Sequence, residues 1–188
     1  MKKESDLFIS VSVDKEPYIK EITKDKIINL TGESGSGKSF YVNQFKENDN
    51  YIIIDTDILS SDKVTNDKDI LKLREKIKII YSHNIKDLLI SNFDDCYKII
   101  LNYFKYSDKT IIIDSAQFRN VKDLSILKGK IIVLRTCIDK CYERCIDRYK
   151  KNFPDFTEKE LEEYKNKKIK MYLWYKSLNQ FISKIDNL

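Results

Sequence analysis

The sequence has 188 residues, of which 41% are hydrophobic and 35% are charged, so it is the size of one α/β domain and can bury a sizeable core. The net charge is +5 and acidic residues are interleaved with basic ones, so the charge pattern does not indicate a nucleic-acid partner. The chain contains no apolar run as long as the ~18 residues of a membrane span, and residues 1–16 lack the apolar stretch of a secretory signal. These features predict a cytoplasmic protein that does not span a membrane.

The N-terminal part alternates between strand patterns and one helix pattern. Apolar and polar residues alternate in LFISVSV (7–13), and YIKEI (18–22) follows a short turn, which predicts an antiparallel β-hairpin. KIINL (26–30) and YIIID (51–55) are short apolar runs typical of buried strands. Between them, the stretch KSFYVNQFKEN, which starts at Lys38, carries apolar residues as a helix facing a sheet would.

The helical period dominates between residues 67 and 106, where we expect two helices inserted between strands. The apolar face of the first consists of Ile70, Leu73, Ile77 and Ile80, and that of the second of Leu89, Phe93, Cys96, Ile100 and Phe104. Two further buried strands are predicted in TIIID (110–114) and KIIVLR (130–135).

After Asp139 the pattern is helical, with one break at NFPDFT (152–157). Thr157 and Glu160 have the spacing of a capping box, which predicts that a last long helix or helix pair begins there. No strand pattern follows, so the N-terminal hairpin is expected to extend the sheet instead. Strands that alternate with helices in this order predict a single α/β domain over residues 1–188, with a mostly parallel sheet and helices on both of its faces.

The chain has four cysteines, and none of them forms a CxxC pair. Cys137, Cys141 and Cys145 recur at every fourth position, which places them on one face of a helix. Because the single histidine, His83, lies far away in the sequence, this spacing indicates a buried face of small apolar residues and not a metal site.

Three of the four glycines lie in one short stretch, GESGSGKS, which runs from Gly32 to Ser39. It matches the pattern G-x-x-x-x-G-K-[ST] and has a predicted strand before it and a predicted helix after it, the context that this motif requires. In such a loop the backbone N–H groups turn inward onto phosphate oxygens, and the following helix adds partial positive charge at its N-terminus. Lys38 is expected to reach the β- and γ-phosphates of a nucleotide, and the Ser39 hydroxyl is expected to bind Mg²⁺. The residues predicted to bind the nucleotide are Gly32, Glu33, Ser34, Gly35, Ser36, Gly37, Lys38 and Ser39.

This stretch and its context resemble the P-loop NTPases, and the resemblance is specific over residues 27 to 45. It implies a three-layer fold, ATP and Mg²⁺ as cofactors, and Asp114 as the Walker B carboxylate that holds the metal together with Ser39. Two subfamilies are excluded by missing motifs. ABC-type ATPases need a second glycine-rich signature and a glutamate after the Walker B aspartate, whereas only Gly129 lies outside the loop and Ser115 follows Asp114. GTPases need an N-K-x-D-type motif that reads guanine, and none is present.

With these two subfamilies excluded, the sequence resembles the small P-loop kinases, which act on nucleosides, nucleotides, shikimate or gluconate. The stretch IIIDTDIL (52–59) carries D-x-D at its strand end, as in shikimate-kinase-like enzymes, where such carboxylates lie at the acceptor hydroxyl. The helical segment 67–106 stands where these kinases hold the acceptor. IIVLRTCIDKCYERCIDRYKKN resembles their strand and lid, with Arg144 and Arg148 spaced to share one helix face, so residues 139–170 are the candidate lid.

The resemblance implies ATP-dependent phosphoryl transfer to a small hydroxyl- or phosphate-bearing acceptor such as a nucleoside or nucleotide. Asp55 or Asp57 would orient the acceptor hydroxyl and remove its proton, and a backbone that stays extended would project both carboxylates to the same side. We expect Asp55 to be the base, because a strand end is held more rigidly than the loop after it. Arg144 and Arg148 would close over the transferring group, and Arg135 at a strand end is a third candidate.

Two other functions fit the same residues. A regulatory ATPase or switch would need no acceptor, and Gln117, just after Asp114, would orient a hydrolytic water in it. A kinase that acts on a nucleotide sugar would have similar residues. The basic clusters RYKKN (148–152) and KNKKIK (165–170) are typical of solvated helix faces and acquire a role only beside a phosphate site.

Overall fold

The computed structural model describes residues 16–61, 65–81 and 84–188, and in this part of the chain five strands form one sheet. The strands are β1 (Tyr18–Glu21), β2 (Ile27–Gly32), β3 (Tyr51–Asp55), β4 (Thr110–Asp114) and β5 (Lys130–Leu134). Their order across the sheet is β1-β5-β2-β4-β3. β1 runs antiparallel to β5, and all other neighbours are parallel, so the predicted mostly parallel sheet is confirmed.

The parallel strands are rich in isoleucine because both faces of the sheet are covered. Their registers align the carboxyl ends at one edge of the sheet: Leu30 and Asp55 both pair with Asp114, and Gly32 pairs with Leu134. Open α/β sheets bind their ligands just outside this edge. The glycine-rich loop and the aspartates that end β3 and β4 therefore start from neighbouring strand ends.

Eight α-helices lie in the described residues. They are α1 (Lys38–Asn43), α2 (Thr56–Ser60), α3 (Lys68–Ile80), α4 (Ile85–Ser91), α5 (Phe93–Tyr103), α6 (Ile138–Asn152), α7 (Glu158–Ile169) and α8 (Met171–Ile185). α1 and the turn after it cover one face of the sheet, where Tyr41 and Phe45 belong to the same apolar cluster as Ile112. The other face carries α2 to α5 and α8, whose apolar residues cluster with Ile113 and Val133. Neighbouring residues of one strand thus enter opposite clusters, and helices on both faces are confirmed.

Residues 67–106 contain three helices, α3 to α5, and not the two that the sequence pattern predicts, and the short helix α2 precedes them directly after β3. Leu89 and Phe93 lie on different helices, because the backbone leaves the helical conformation at Asn92 between α4 and α5. Ile77 is fully buried as predicted, but Ile80 is 52% exposed. Ile80 is the last residue of α3.

β1 extends the sheet at the edge beside β5, which agrees with the expectation for YIKEI. Its side chains bind the end of the chain: the Tyr18 hydroxyl donates to the Asp186 carboxylate, and Lys20 Nζ donates to the carbonyl of Ile185 at 2.5 Å. The other predicted strand of the hairpin, residues 7–13, lies outside the described residues.

The C-terminal part is helical except for the predicted break between α6 and α7. The capping box is present: the Glu160 N–H donates to Thr157 Oγ1 at 3.3 Å, and the Thr157 N–H donates to the Glu160 carboxylate at 2.8 Å. Cys141 and Cys145 are fully buried on α6, and Cys137 is half-buried just before it, so the predicted cysteine face is confirmed for the two helical residues. Over the described ranges no helix is long and apolar enough to cross a membrane.

Candidate active site

A cavity of about 650 Å³ lies at the carboxyl ends of β2, β3 and β4. Most of its wall is formed by charged side chains that come from distant parts of the sequence. Its cationic side chains are Lys38, Arg119, Arg144, Arg148 and Lys168, and its carboxylates are those of Glu33, Asp55, Asp57 and Asp114. Both charge types meet in one cavity, as a site for a phosphate group and its metal ion requires.

The glycine-rich loop forms one wall of this cavity through Glu33, Ser34, Gly35, Gly37, Lys38 and Ser39. Lys38 Nζ donates to the carbonyls of Gly32 at 2.8 Å and Glu33 at 3.2 Å, so the ammonium lies against the loop. Within the described residues, the backbone N–H groups of Gly35, Gly37, Lys38 and Ser39 have no hydrogen-bond acceptor. Backbone N–H groups that are unpaired and lie beside cationic side chains can bind an anion. Gly32 and Ser36, also predicted to bind the nucleotide, do not line the cavity.

The loop is held in place by the chain segment that follows β5. Thr136 Oγ1 donates to the Ser36 carbonyl at 2.9 Å, and Arg144 Nη1 donates to the Gly35 carbonyl at 3.1 Å. Gly35 has a φ of 85°, and a Cβ atom there would lie 2.5 Å from the Cys141 carbonyl oxygen. Only glycine fits this contact, because both the backbone conformation and the close approach exclude a side chain.

The carboxylate of Asp55 is fixed by the helix that begins after it. Its Oδ1 accepts from the N–H groups of Asp57 at 2.8 Å and Ile58 at 3.2 Å, which makes Asp55 the N-cap of α2. The backbone does not stay extended through Asp57, which was the condition for both carboxylates to project to the same side, because α2 starts at Thr56 and the N–H groups of its first turn bind the Asp55 side chain. Both carboxylates nevertheless line the cavity.

Asp114 is the most buried of the aspartates in the cavity, with 7% exposure. Desolvation raises the pKa of its carboxyl from 3.8 to about 7, Lys38 opposes this rise, and the charges of Asp55 and Asp57 add to it. The strand ends are joined here, since Thr56 Oγ1 donates to the Asp114 carbonyl at 3.2 Å and bonds Ser115 Oγ at 2.9 Å.

The oxygen atoms at this position suit Mg²⁺. Ser39 and Asp114 both line the cavity, and hydroxyl and carboxylate oxygens are ligands that a hard cation prefers, with phosphate and water completing its shell. The described residues contain no group of three or more His, Cys, Asp or Glu side chains that could hold a metal ion alone.

The structure brings together two of the three arginines expected from the sequence. Arg144 and Arg148 line the cavity from α6, whereas Arg135 does not. The Arg135 guanidinium donates instead to the Glu16 carbonyl, at 3.1 Å from Nε and 3.0 Å from Nη2. It thereby holds the chain two residues before β1 and does not line the cavity of the candidate site.

Two cations of the cavity were not assigned a role from the sequence. Lys168 belongs to the cluster KNKKIK, and α7 places it at the cavity that the glycine-rich loop lines. Arg119 lies in the turn of 3₁₀ helix after β4, Ala116–Asn120, where no motif distinguishes it. Gln117 from the same turn also lines the cavity, and its side-chain oxygen accepts from Asn120 at 2.8 Å.

A second cavity of about 440 Å³ adjoins the first, and Ser39, Asp55 and Asp114 line both. It lies between α1, β3 and the start of α3, with Phe45, Tyr51 and Ile70 among its apolar residues. This is the region between Asp55 and the helical segment where the resemblance to small kinases places an acceptor.

Comparisons with known proteins identify no family. No protein-family model matches the sequence, and no curated protein matches it significantly. Among solved structures, the crystal structure of TT1252 from Thermus thermophilus is similar to this chain, with a TM-score of 0.42 and 17% sequence identity. The matched region covers 74% of this chain and 78% of that chain. A likeness this distant supports no conclusion about function.

Asp114 should make the free protein less stable as the pH rises. The pKa of this carboxyl is about 7 in the folded protein and 3.8 when it is fully solvated, as in the unfolded chain. Between these two pH values the folded protein keeps a proton that the unfolded chain has released. The free energy of unfolding should fall across this window, and the loss should be complete above pH 7. Asp114→Asn removes the charge and should raise stability at pH 8 by up to about 4 kcal/mol. Urea unfolding at pH 5 and pH 8 measures this, with the exposed Asp49→Asn as control. A wild-type protein that gains stability relative to Asp114→Asn between these pH values would contradict the prediction.

Only part of the candidate lid should be mobile. Cys141 and Cys145 on α6 are buried against the loop, whereas α7 is mostly exposed and stacks Tyr164 on Tyr149 with ring centroids 4.2 Å apart. Hydrogen exchange of the free protein should show slow amides in residues 138–146 and fast amides in α7, with protection of α7 rising on addition of Mg-ATP. Equal protection of α7 with and without the nucleotide would show that it is a fixed structural helix.

Proposed function

We propose that this chain is a P-loop kinase that transfers the terminal phosphoryl group of ATP to a small hydroxyl- or phosphate-bearing acceptor, such as a nucleoside or nucleotide. One observation carries the proposal: a loop with unpaired N–H groups and Lys38 shares a cavity with four further cations and with Asp55, Asp57 and Asp114. Phosphoryl transfer depends mainly on positioning and charge neutralisation, and these groups supply both.

The loop side of the cavity would bind the phosphates. The free N–H groups would donate to phosphate oxygens, and Lys38 would exchange its contacts with the Gly32 and Glu33 carbonyls for the β- and γ-phosphates. Bound Mg²⁺ would neutralise charge between these phosphates, with Ser39 and Asp114 as its protein ligands. The cations of α6 and α7 would cover the transferring group from the opposite side and exclude water.

The acceptor would lie on the β3 side of the cavity. Asp55 lines both cavities, so a hydroxyl beside it would have the phosphate loop on one side and the apolar wall near Tyr51 on the other. Because α2 fixes Oδ1 of Asp55, the direction of the carboxylate is set before any acceptor arrives. Asp55 would orient the hydroxyl and accept its proton, a contribution of typically 10² to 10⁴-fold.

A second candidate function is an ATPase switch without an acceptor. It is supported by Gln117, whose side chain lines the phosphate cavity and is oriented by Asn120. A glutamine in this position would orient a water molecule for attack on the γ-phosphate. The two candidates share the nucleotide site and differ in whether ATP consumption requires an acceptor.

Mg-ATP should stabilise the protein through Lys38. At about 100 times its dissociation constant the nucleotide should add roughly 2.7 kcal/mol to the free energy of unfolding. Lys38→Ala should abolish most of this gain, because the charge on the β- and γ-phosphates loses its partner, whereas the exposed Lys24→Ala should keep it. Thermal melts with and without Mg-ATP measure the effect. A wild-type protein that does not shift at millimolar Mg-ATP would exclude the nucleotide site itself.

Asp55→Asn should separate binding from transfer. Asparagine is also a good N-cap, so α2 should still form and Mg-ATP should still bind. ADP release in the presence of the acceptor should fall at least about 100-fold, because the base is lost. The assay first screens nucleosides, nucleotides and sugars for release of ADP above the rate with ATP alone.

Asp57→Asn is the matched control for Asp55→Asn. If it abolishes transfer while Asp55→Asn does not, Asp57 is the base. If no compound raises ADP release and Gln117→Ala removes the basal hydrolysis of ATP, the switch replaces the kinase as the function of this site.

A further inference from the structure

Glu33 occupies a position of the phosphate loop at which the motif specifies no side chain. Its carboxylate is nevertheless turned into the protein, with only 3% of the side chain exposed. A buried carboxylate costs free energy unless it is paired, so its location needs a reason. The reason lies in Arg119, which comes from the turn after β4 and also lines the phosphate cavity.

The two side chains form a buried ion pair. Arg119 Nη1 donates to Glu33 Oε1 at 3.4 Å, and 9% of the Arg119 side chain is exposed. Glu33 Oε2 has no hydrogen-bond partner within the described residues. Desolvation raises the pKa of Glu33, and the nearby charges of Arg119, Lys38 and Lys168 oppose that rise. A buried ion pair with a contact as long as 3.4 Å stabilises little by itself, which favours a role in placing one partner.

We infer that Glu33 is a positioning residue that holds the Arg119 guanidinium at the wall of the phosphate cavity, ready to donate to a phosphate group. A long arginine side chain loses conformational freedom when it is fixed, and a carboxylate that fixes it in advance removes this cost from ligand binding. The inference rests on the phosphate-binding part of the proposed function and is independent of the acceptor.

Two roles of Glu33 predict opposite effects on affinity. If Glu33 acts only through its negative charge near the phosphates, Glu33→Gln removes a repulsion and should tighten Mg-ATP binding. If Glu33 positions Arg119, the same change should weaken binding, because the guanidinium loses its anchor. The sign of the change in the dissociation constant therefore distinguishes a positioning role from a simple charge effect. If Glu33 affects only folding, Glu33→Gln should change the melting temperature and leave the dissociation constant for Mg-ATP unchanged.

Isothermal titration of four proteins with Mg-ATP tests the inference: the wild type, Glu33→Gln, Arg119→Met and the double variant. Glu33→Gln should raise the dissociation constant about tenfold, and Arg119→Met should raise it at least as much. In the Arg119→Met background Glu33→Gln should have no further effect, since its action requires Arg119. The exposed Glu47→Gln should bind like the wild type.

Arg119→Lys replaces Arg119→Met if the latter does not fold, because lysine keeps the positive charge beside Glu33 but lacks the planar fork of donors. Tighter binding by Glu33→Gln, or an equal loss in both backgrounds, would overturn the inference. It would also be overturned if the wild type bound neither Mg-ATP nor inorganic pyrophosphate. Mg-ATP binding with the expected coupling but no transfer to any acceptor would instead reject the kinase proposal and leave the role of Glu33 intact.

Discussion

The contact between Gly35 and the backbone of Cys141 determines the geometry of the candidate site. Within the described residues, the glycine-rich loop makes one backbone–backbone hydrogen bond of its own before α1, from the Ser36 N–H to the Glu33 carbonyl, and the Lys38 side chain adds two more. Its shape is instead fixed from outside, by Thr136 on the Ser36 carbonyl, Arg144 on the Gly35 carbonyl and the close approach of α6. These contacts take up carbonyl oxygens and leave N–H groups unpaired, so the loop presents donors and not acceptors to the cavity.

This arrangement also explains why cations gather there. α6 contacts Gly35 through Cys141, and the side chains one and two turns further along the helix, Arg144 and Arg148, reach the cavity. α7 folds back over α6 through the stacked rings of Tyr149 and Tyr164 and brings Lys168 to the same wall. The positive charge is balanced by Glu33 and by Asp114, whose raised pKa values reflect the desolvation of carboxylates in a crowded site.

The sequence alone determined the elements that have strong local signals. Short isoleucine-rich runs fix β2 to β5, because a strand covered on both faces must be apolar throughout. The capping box at Thr157 fixes the start of α7, because both of its hydrogen bonds lie within four residues. Likewise, the spacing of the loop glycines and Lys38 between a strand and a helix located the candidate site. Asp55 and Asp114 end neighbouring strands at one edge of the sheet, and Ser39 lies in the first turn of α1 beside them.

Only the tertiary structure decided which other side chains reach that edge. Arg119 and Arg135 both follow a buried strand, yet one lines the cavity and the other binds the Glu16 carbonyl, because the direction of each side chain depends on the turn after its strand. The helix that begins immediately after Asp55 likewise depends on capping by that side chain, which an extended D-x-D pattern does not predict. Periodicity records which residues are apolar within one element. Which polar residues converge on one site depends on loop geometry and on packing between elements that are distant in the sequence. A pattern within one element contains no information about either.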